Sequence, residues 1–226
     1  MNDKVSWYYY PSAEEVAREA VKHILSKAEE AMARQGRFTL VLAGGTTPKR
    51  IYELLAEQPQ PWDKWQLFLG DERCLPADDP ERNSLMVEQT WLNKVSFPAE
   101  NFHPIPAELG PEEGARQYAE LIQNYLPFNM VLLGMGEDGH TASLFPGQEH
   151  KPTELTHAVY NSPKPPPERV SLSHKALAQS EHTLILVTGR SKKAAVKQWL
   201  AGAPLPVARI RSLNCVDVML DPDARP

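Results

Sequence analysis

Residues 129–147 read NMVLLGMGEDGHTASLFPG. An apolar run at 130–133 ends in a glycine-punctuated turn that carries Asp138 and His140. A short continuous apolar run bounded by turn residues is the pattern of a strand buried on both faces. In an open α/β sheet, ligands collect outside the carboxyl ends of the strands. If the rest of the chain builds such a sheet, this turn is the leading candidate for a site.

Outward from that stretch, the chain alternates. Ser12 followed by Glu15 fits a helix capping box. Val16, Ala20, Ile24, Leu25, Ala28 and Met32 recur at helical spacing, which predicts a helix over about 12–34 ended by Gly36. Apolar runs at 38–42, 65–69 and 183–187 read as buried strands. Thr47 and Pro48 suit the cap and first turn of a helix reaching about residue 56. Further helices are expected from a cap at Asn83 or Ser84 to 91, at 110–126, at 174–179 and at 189–200. Shorter strands are expected at 102–105, 158–161, 170–173, 207–210 and 216–220, with 77–82 as loop. Apolar strands separated by helices imply the α/β class, with a mostly parallel sheet covered on both faces. The segment 150–175 breaks the alternation and reads as a small extra hairpin around PKPPPER at 163–169. No composition shift divides the chain, so one domain spanning 1–226 is expected.

The totals exclude several classes. A chain of 226 residues can bury roughly 70% of its unfolded surface and needs no covalent staples. Net charge is -5, which gives no reason to expect a nucleic-acid or anionic-membrane partner. Anion binding must then come from a local arrangement. Cys74 and Cys215 form no CxxC and have no ligand-like spacing to the histidines, which argues against a disulfide framework or a structural zinc site. The opening MNDKVSWYYYPSAEE lacks the basic start and apolar core of a signal peptide. No run approaches the roughly 20 apolar residues that span a bilayer. A cytoplasmic protein is expected.

Four stretches carry candidate chemistry. GGTTP at 44–48 sits between a strand and a helix. Gly44 and Gly45 let backbone approach an anion, the helix N-terminus favours phosphate, and Thr46 and Thr47 add hydroxyl donors. An ordinary capped turn is the alternative, and no Gly-Lys-Ser/Thr follows to make a P-loop. GMGEDG at 134–139 formally matches GxGxxG, but it lies past mid-chain and SLFP interrupts any following helix, against dinucleotide binding. Asp138 and His140 stand two apart. A carboxylate near an imidazole fixes its tautomer and suits it to general-base work; a solvated surface pair is the alternative. With no GxSxG elbow, His-activated water is favoured over a covalent nucleophile. Asp71, Glu72 and Arg73 end a strand as either a solvated loop or a ligand clamp. Arg169, after a stiff proline run, and Lys192, at a helix start, are two more placed cations.

Together these residues resemble 6-phosphogluconolactonases, within the glucosamine-6-phosphate isomerase superfamily. GGTTP at 44–48 is similar to that family's phosphate loop, GDER at 70–73 to its GDER segment, and Asn83 to its downstream Asn. GMGEDGHTASLFP at 134–146 resembles its signature GxGxDGHxASLFP; PER at 167–169 and TGRSK at 188–192 resemble its later basic segments. Two departures stand out. Ala43 replaces a common hydroxyl residue, and Arg82 replaces a common Ser. The resemblance implies a Rossmann-like three-layer sandwich and hydrolysis of 6-phospho-D-glucono-1,5-lactone to 6-phospho-D-gluconate in the pentose phosphate pathway. It implies a small sugar phosphate as partner, no nucleic acid, no membrane, no cofactor and no metal; a monomer is favoured. In this reading His140 activates water, Asp138 orients His140, and Arg73 or loop N–H groups stabilise the oxyanion. Arg169, Lys192 and the 44–47 loop hold the phosphate, with Asp71 and Asn83 in the substrate site. The rivals are a sugar-phosphate deaminase/isomerase, which typically has Glu where this chain has Phe145, and a non-enzymatic sugar-phosphate sensor.

Overall fold

The structure is a computed structural model that describes residues 5–226; the first four residues of the opening segment lie outside the described residues. In chain order the elements are β1 Val5–Tyr9, α1 Ala13–Gln35, β2 Phe38–Leu42, α2 Thr46–Ala56, β3 Trp65–Leu69, β4 Asp71–Arg73, α3 Asn83–Thr90, β5 Phe102–His103, α4 Pro111–Ile122, β6 Phe128–Gly134, β7 Thr156–Val159, β8 Arg169–Leu172, α5 His174–Ala178, β9 Ser180–Val187, α6 Lys193–Leu200 and β10 Cys215–Leu220. Seven strands form one parallel sheet in the order β1-β10-β9-β6-β2-β3-β5. A separate antiparallel sheet runs β4-β8-β7.

Strand alternation shows how the layers are built. Trp65 and Phe68 point to opposite faces of β3. Trp65 meets Trp62 and Trp91 edge-on at centroid distances of 5.0 and 5.9 Å, beyond the end of α3. Phe68 meets Tyr125 and Phe128 at 4.8 and 5.1 Å, beyond the end of α4. The sheet is therefore sandwiched, and β2 is buried along its whole length, as a parallel strand covered on both faces should be. Each aromatic pair adds about 0.5–1.5 kcal/mol beyond its burial. Asn129, the polar residue in β6, is satisfied across the β2–β6 seam. Its Oδ1 accepts the Thr39 N–H and O–H at 2.9 and 3.1 Å, and its own N–H donates to Thr39 Oγ1 at 2.8 Å.

The α/β sandwich with its mostly parallel sheet is as expected. Ser12 caps α1 by accepting from the Glu15 N–H at 3.1 Å, and Gly36 ends it at φ 77°. Several local expectations are corrected. Residues 71–73, read as either a solvated loop or a ligand clamp, form the short strand β4 because β8 supplies an antiparallel partner. Residues 207–210 are not a strand; Val207–Arg209 is a single 3-10 turn entered through Pro206, whose ring removes a ladder donor. Strand β1 had no expectation; it is an edge strand paired with β10. Helix α4 ends at Ile122, short of the expected 126; Pro127 disfavours helix at Leu126. Thr47 does not cap α2, whose N-cap position is Gly45. Nor do Asn83 or Ser84 cap α3, which starts after Arg82 and is capped from outside.

Candidate active site

The sheet order places the site. From β2 the chain steps outward through β3 to β5, then returns to β6 on the other side of β2 and continues through β9 to β10. The order reverses between β2 and β6, and crevices at such reversals collect ligands at the carboxyl ends of the strands. A cleft of about 300 Å³ lies there. It is lined by Gly44, Gly45, Thr46 and Thr47 after β2, by Asp71, Arg73 and Asn83 beyond β3, by His140 after β6, and by Arg169 and Lys192. Every expected site residue therefore lines one crevice except Asp138, which stands behind His140.

Asp138 Oδ1 accepts the His140 backbone N–H at 3.1 Å and contacts ring Nδ1 at 2.5 Å. Burial works against ionisation of Asp138, but the His140 backbone N–H and the imidazole outweigh it and hold the carboxyl below its usual range. The turn is cut to fit the ring. A Cβ on Gly136 would lie 2.0 Å from His140 Nδ1, and Gly139 sits at φ +82° against Leu205. The Phe145 ring packs on the imidazole with centroids 4.6 Å apart.

The phosphate-loop candidate is shaped by its neighbours. A Cβ on Gly44 would lie 2.1 Å from Asn83 Oδ1, so only glycine leaves room for that side chain. Asn83 Nδ2 in turn donates to the Asp71 carbonyl at 3.0 Å. Helix α2 opens on the cleft, and the first N–H groups of a helix have no intrahelical acceptor. Thr47 Oγ1 lies 2.6 Å from Thr188 Oγ1, joining the loops after β2 and β9. The departure at Ala43 has a structural counterpart. The buried Tyr52 hydroxyl accepts the Ala43 N–H and donates to its carbonyl, at 2.9 and 2.7 Å.

Four cations face the crevice. Arg169 is buried and its guanidinium donates to the carbonyls of Lys164, Pro165 and Pro166 at 2.9–3.2 Å. Its Nη1 stands 4.0 Å from Asp71 Oδ2, which also accepts the Ser143 hydroxyl at 2.6 Å. Arg73 donates through Nη1 to the Glu81 carbonyl, while its buried Nε has no hydrogen-bond partner among the described residues. Burial pushes the Lys192 ammonium below its usual pKa, with Glu137 opposing. The fourth cation, Lys164, was not singled out from the sequence, although it occupies the same proline-stiffened loop that drew attention to Arg169.

Glu72, read from the sequence only as one charge of the 71–73 triplet, has a capping role that was missed. Its side chain is fully buried and accepts the N–H groups of Arg73, Asn83 and Ser84, each at 2.8 Å. It is the external cap of α3. Among the described residues, no group of three or more His, Cys, Asp or Glu is placed to hold a metal ion.

Comparison with known proteins follows the same lines. Residues 11–218 match the family of glucosamine-6-phosphate isomerases/6-phosphogluconolactonase. The chain belongs to this family. A 6-phosphogluconolactonase of Nostoc is 38% identical over 188 residues, covering 79% of this chain and 78% of that one. One of Mycobacterium leprae is 34% identical over 224 residues, covering 91% of each. The crystal structure of 6-phosphogluconolactonase from Thermotoga maritima superposes with a TM-score of 0.90 at 30% identity, covering 96% of this chain and all of that one. In this chain the GxGxDGH turn after β6 and the glycine loop after β2 line the same crevice.

Proposed function

We propose that this chain hydrolyses 6-phospho-D-glucono-1,5-lactone to 6-phospho-D-gluconate, through a single domain spanning residues 1–226. The observation that carries the reading is the Asp138–His140 pair set against a crevice walled by cations. Asp138 engages Nδ1, so Nε2 is left to take a proton from water. The resulting hydroxide attacks the lactone carbonyl. Charge then develops on the carbonyl oxygen, where a fixed donor is worth roughly 3–4 kcal/mol in acyl-transfer sites. Arg73, which lines the crevice, is assigned that role. His140, now protonated, donates to the ring oxygen as the C–O bond breaks, and the ring opens to the acid. Arg169, Lys192 and the start of α2 hold the phosphate; Asp71 and Asn83 position Arg169 and the glycine loop.

A deaminase reading is weakened by Phe145. It fills the position expected of a catalytic Glu, is buried, and lies tilted against the His140 ring instead of offering a carboxylate. No helix of the described residues is long and apolar enough to cross a membrane. A cytoplasmic setting and a monomer acting on a free sugar phosphate are proposed.

The test is acid release from freshly made lactone, with chelator present and the spontaneous rate subtracted, for wild type and His140→Ala. Acceleration that disappears in the variant supports substrate and base together. Full activity in His140→Ala overturns the base assignment, and an inert wild type overturns the lactonase reading.

A further inference from the structure

Lys164, which lines the crevice, is paired with Glu137, which stands outside the lining. The Lys164 ammonium lies 2.6 Å from Glu137 Oε1. Glu137 belongs to the turn after β6, directly before Asp138; Lys164 belongs to the proline loop between β7 and β8. Both side chains are partly in water, at 42% and 55% exposure. The backbone of the proline loop is not free to move with the lysine, because the carbonyls of residues 164–166 hold the Arg169 guanidinium. Only the Lys164 side chain can swing. It already lines the crevice beside Arg169 and Lys192.

We infer that Glu137 is an internal stand-in for the substrate's phosphate, and that Lys164 leaves it to become a third phosphate ligand when substrate binds. This rests on the sugar-phosphate reading above. Glu137 feels both lysines, Lys164 foremost and Lys192 after it, and its carboxyl is held below its usual range by the Lys164 contact. A carboxylate held by one ammonium group, within the field of a second, marks where an anion is favoured. An exposed ion pair is weak and is screened by water, so exchanging its acceptor is cheap. A phosphate seated among Arg169, Lys192 and the start of α2 is a dianion in a drier place, where a charged hydrogen bond is stronger. The lysine therefore has a better acceptor once the crevice is filled. In the empty site, Glu137 keeps the third cation occupied and disfavours small adventitious anions.

The consequence is a sign reversal between two substitutions at one ion pair. Glu137→Gln releases Lys164 and should tighten inorganic phosphate as a competitive inhibitor, and lower KM for the phosphorylated lactone, by about 2- to 5-fold. Lys164→Met should raise both constants by about 10-fold or more. In a Lys164→Met background, Glu137→Gln should lose its benefit, because the exchange partner is gone. Overturning results are a Glu137→Gln chain that binds phosphate no better than wild type, or one whose gain persists without Lys164. Inorganic phosphate binding is measured by calorimetry on the same preparations. If wild type fails to open the lactone, the lactonase reading fails while the calorimetry still decides the exchange. If wild type opens it but the cycle shows no coupling, the exchange alone fails.

Discussion

Glu72 and Arg82 form an ion pair 3.2 Å long in which neither side chain reaches water, at 0% and 2% exposure. Glu72 caps α3 with the same carboxylate that fixes the Arg73 N–H, while Arg82 donates to the carbonyls of Leu75 and Ile105 at 2.8 and 3.0 Å. The segment between Arg73 and Asn83 is thus anchored at both ends, and Arg82 is an anchor where a serine was the expected residue. Removing one partner strands a buried charge, which typically costs about 3–5 kcal/mol. Arg82→Ala is expected to lose stability of that size in denaturant titration. A loss below about 1 kcal/mol would show that the pair is dispensable.

Gly136 is expected to tolerate no side chain. Its backbone is not in the left-handed region, so alanine fits the fold, but its Cβ would lie 2.0 Å from the His140 ring. The imidazole must rotate off Asp138. A misplacement near 1 Å can cost about 100-fold in rate. Gly136→Ala should therefore lose about that much kcat while its unfolding free energy stays within about 1 kcal/mol of wild type. Equal losses in both would point to a folding defect instead.

Asp138→Asn keeps the shape of the side chain and removes the charge that His140 leans on. General-base catalysis contributes about 10²–10⁴ in such reactions, and the orienting partner shares in it. A kcat loss of about 100-fold is expected, with little further loss when the change is made in a His140→Ala background, since the two act as one unit. Additive losses would separate the two residues' roles.

Stability should fall on mild acidification through His157. Burial pushes its pKa down to about 4, helped by the charge of stacked His150 and opposed by Glu154, with His174 also facing it. Unfolded, the imidazole titrates near the ordinary value of about 6.5. Between about pH 6.5 and about 4 the unfolded chain binds the extra proton, so stability is intact above that window and declines as pH falls through it. The single-group contribution is up to about 3 kcal/mol. His157→Phe should flatten the melting temperature against pH over this window. A slope as steep as that of wild type would assign the effect elsewhere.

How much of this was legible beforehand follows from what local pattern encodes. Residues 38–42, 65–69 and 183–187 are apolar and short, so their burial could be read directly, and the Ser12–Glu15 box and Gly36 marked α1 at both ends. The glycine loops at 44–45 and 134–139, with Asp138 and His140, were legible because turn chemistry is written in residues adjacent in sequence. The charged triplet 71–73 was not, because a three-residue polar strand has no periodicity of its own and exists only when β8 pairs with it. For the same reason, the capping of α3 by Glu72 rather than by Asn83 or Ser84 could not be seen: the carboxylate arrives from another element. Local residue pattern was enough to read the strand–helix alternation, the parallel sheet and the glycine, histidine and arginine motifs. Which charges are buried with partners and which face the crevice emerged with the folded arrangement. Burial of a charge depends on groups brought together across the chain, and no local spacing records that.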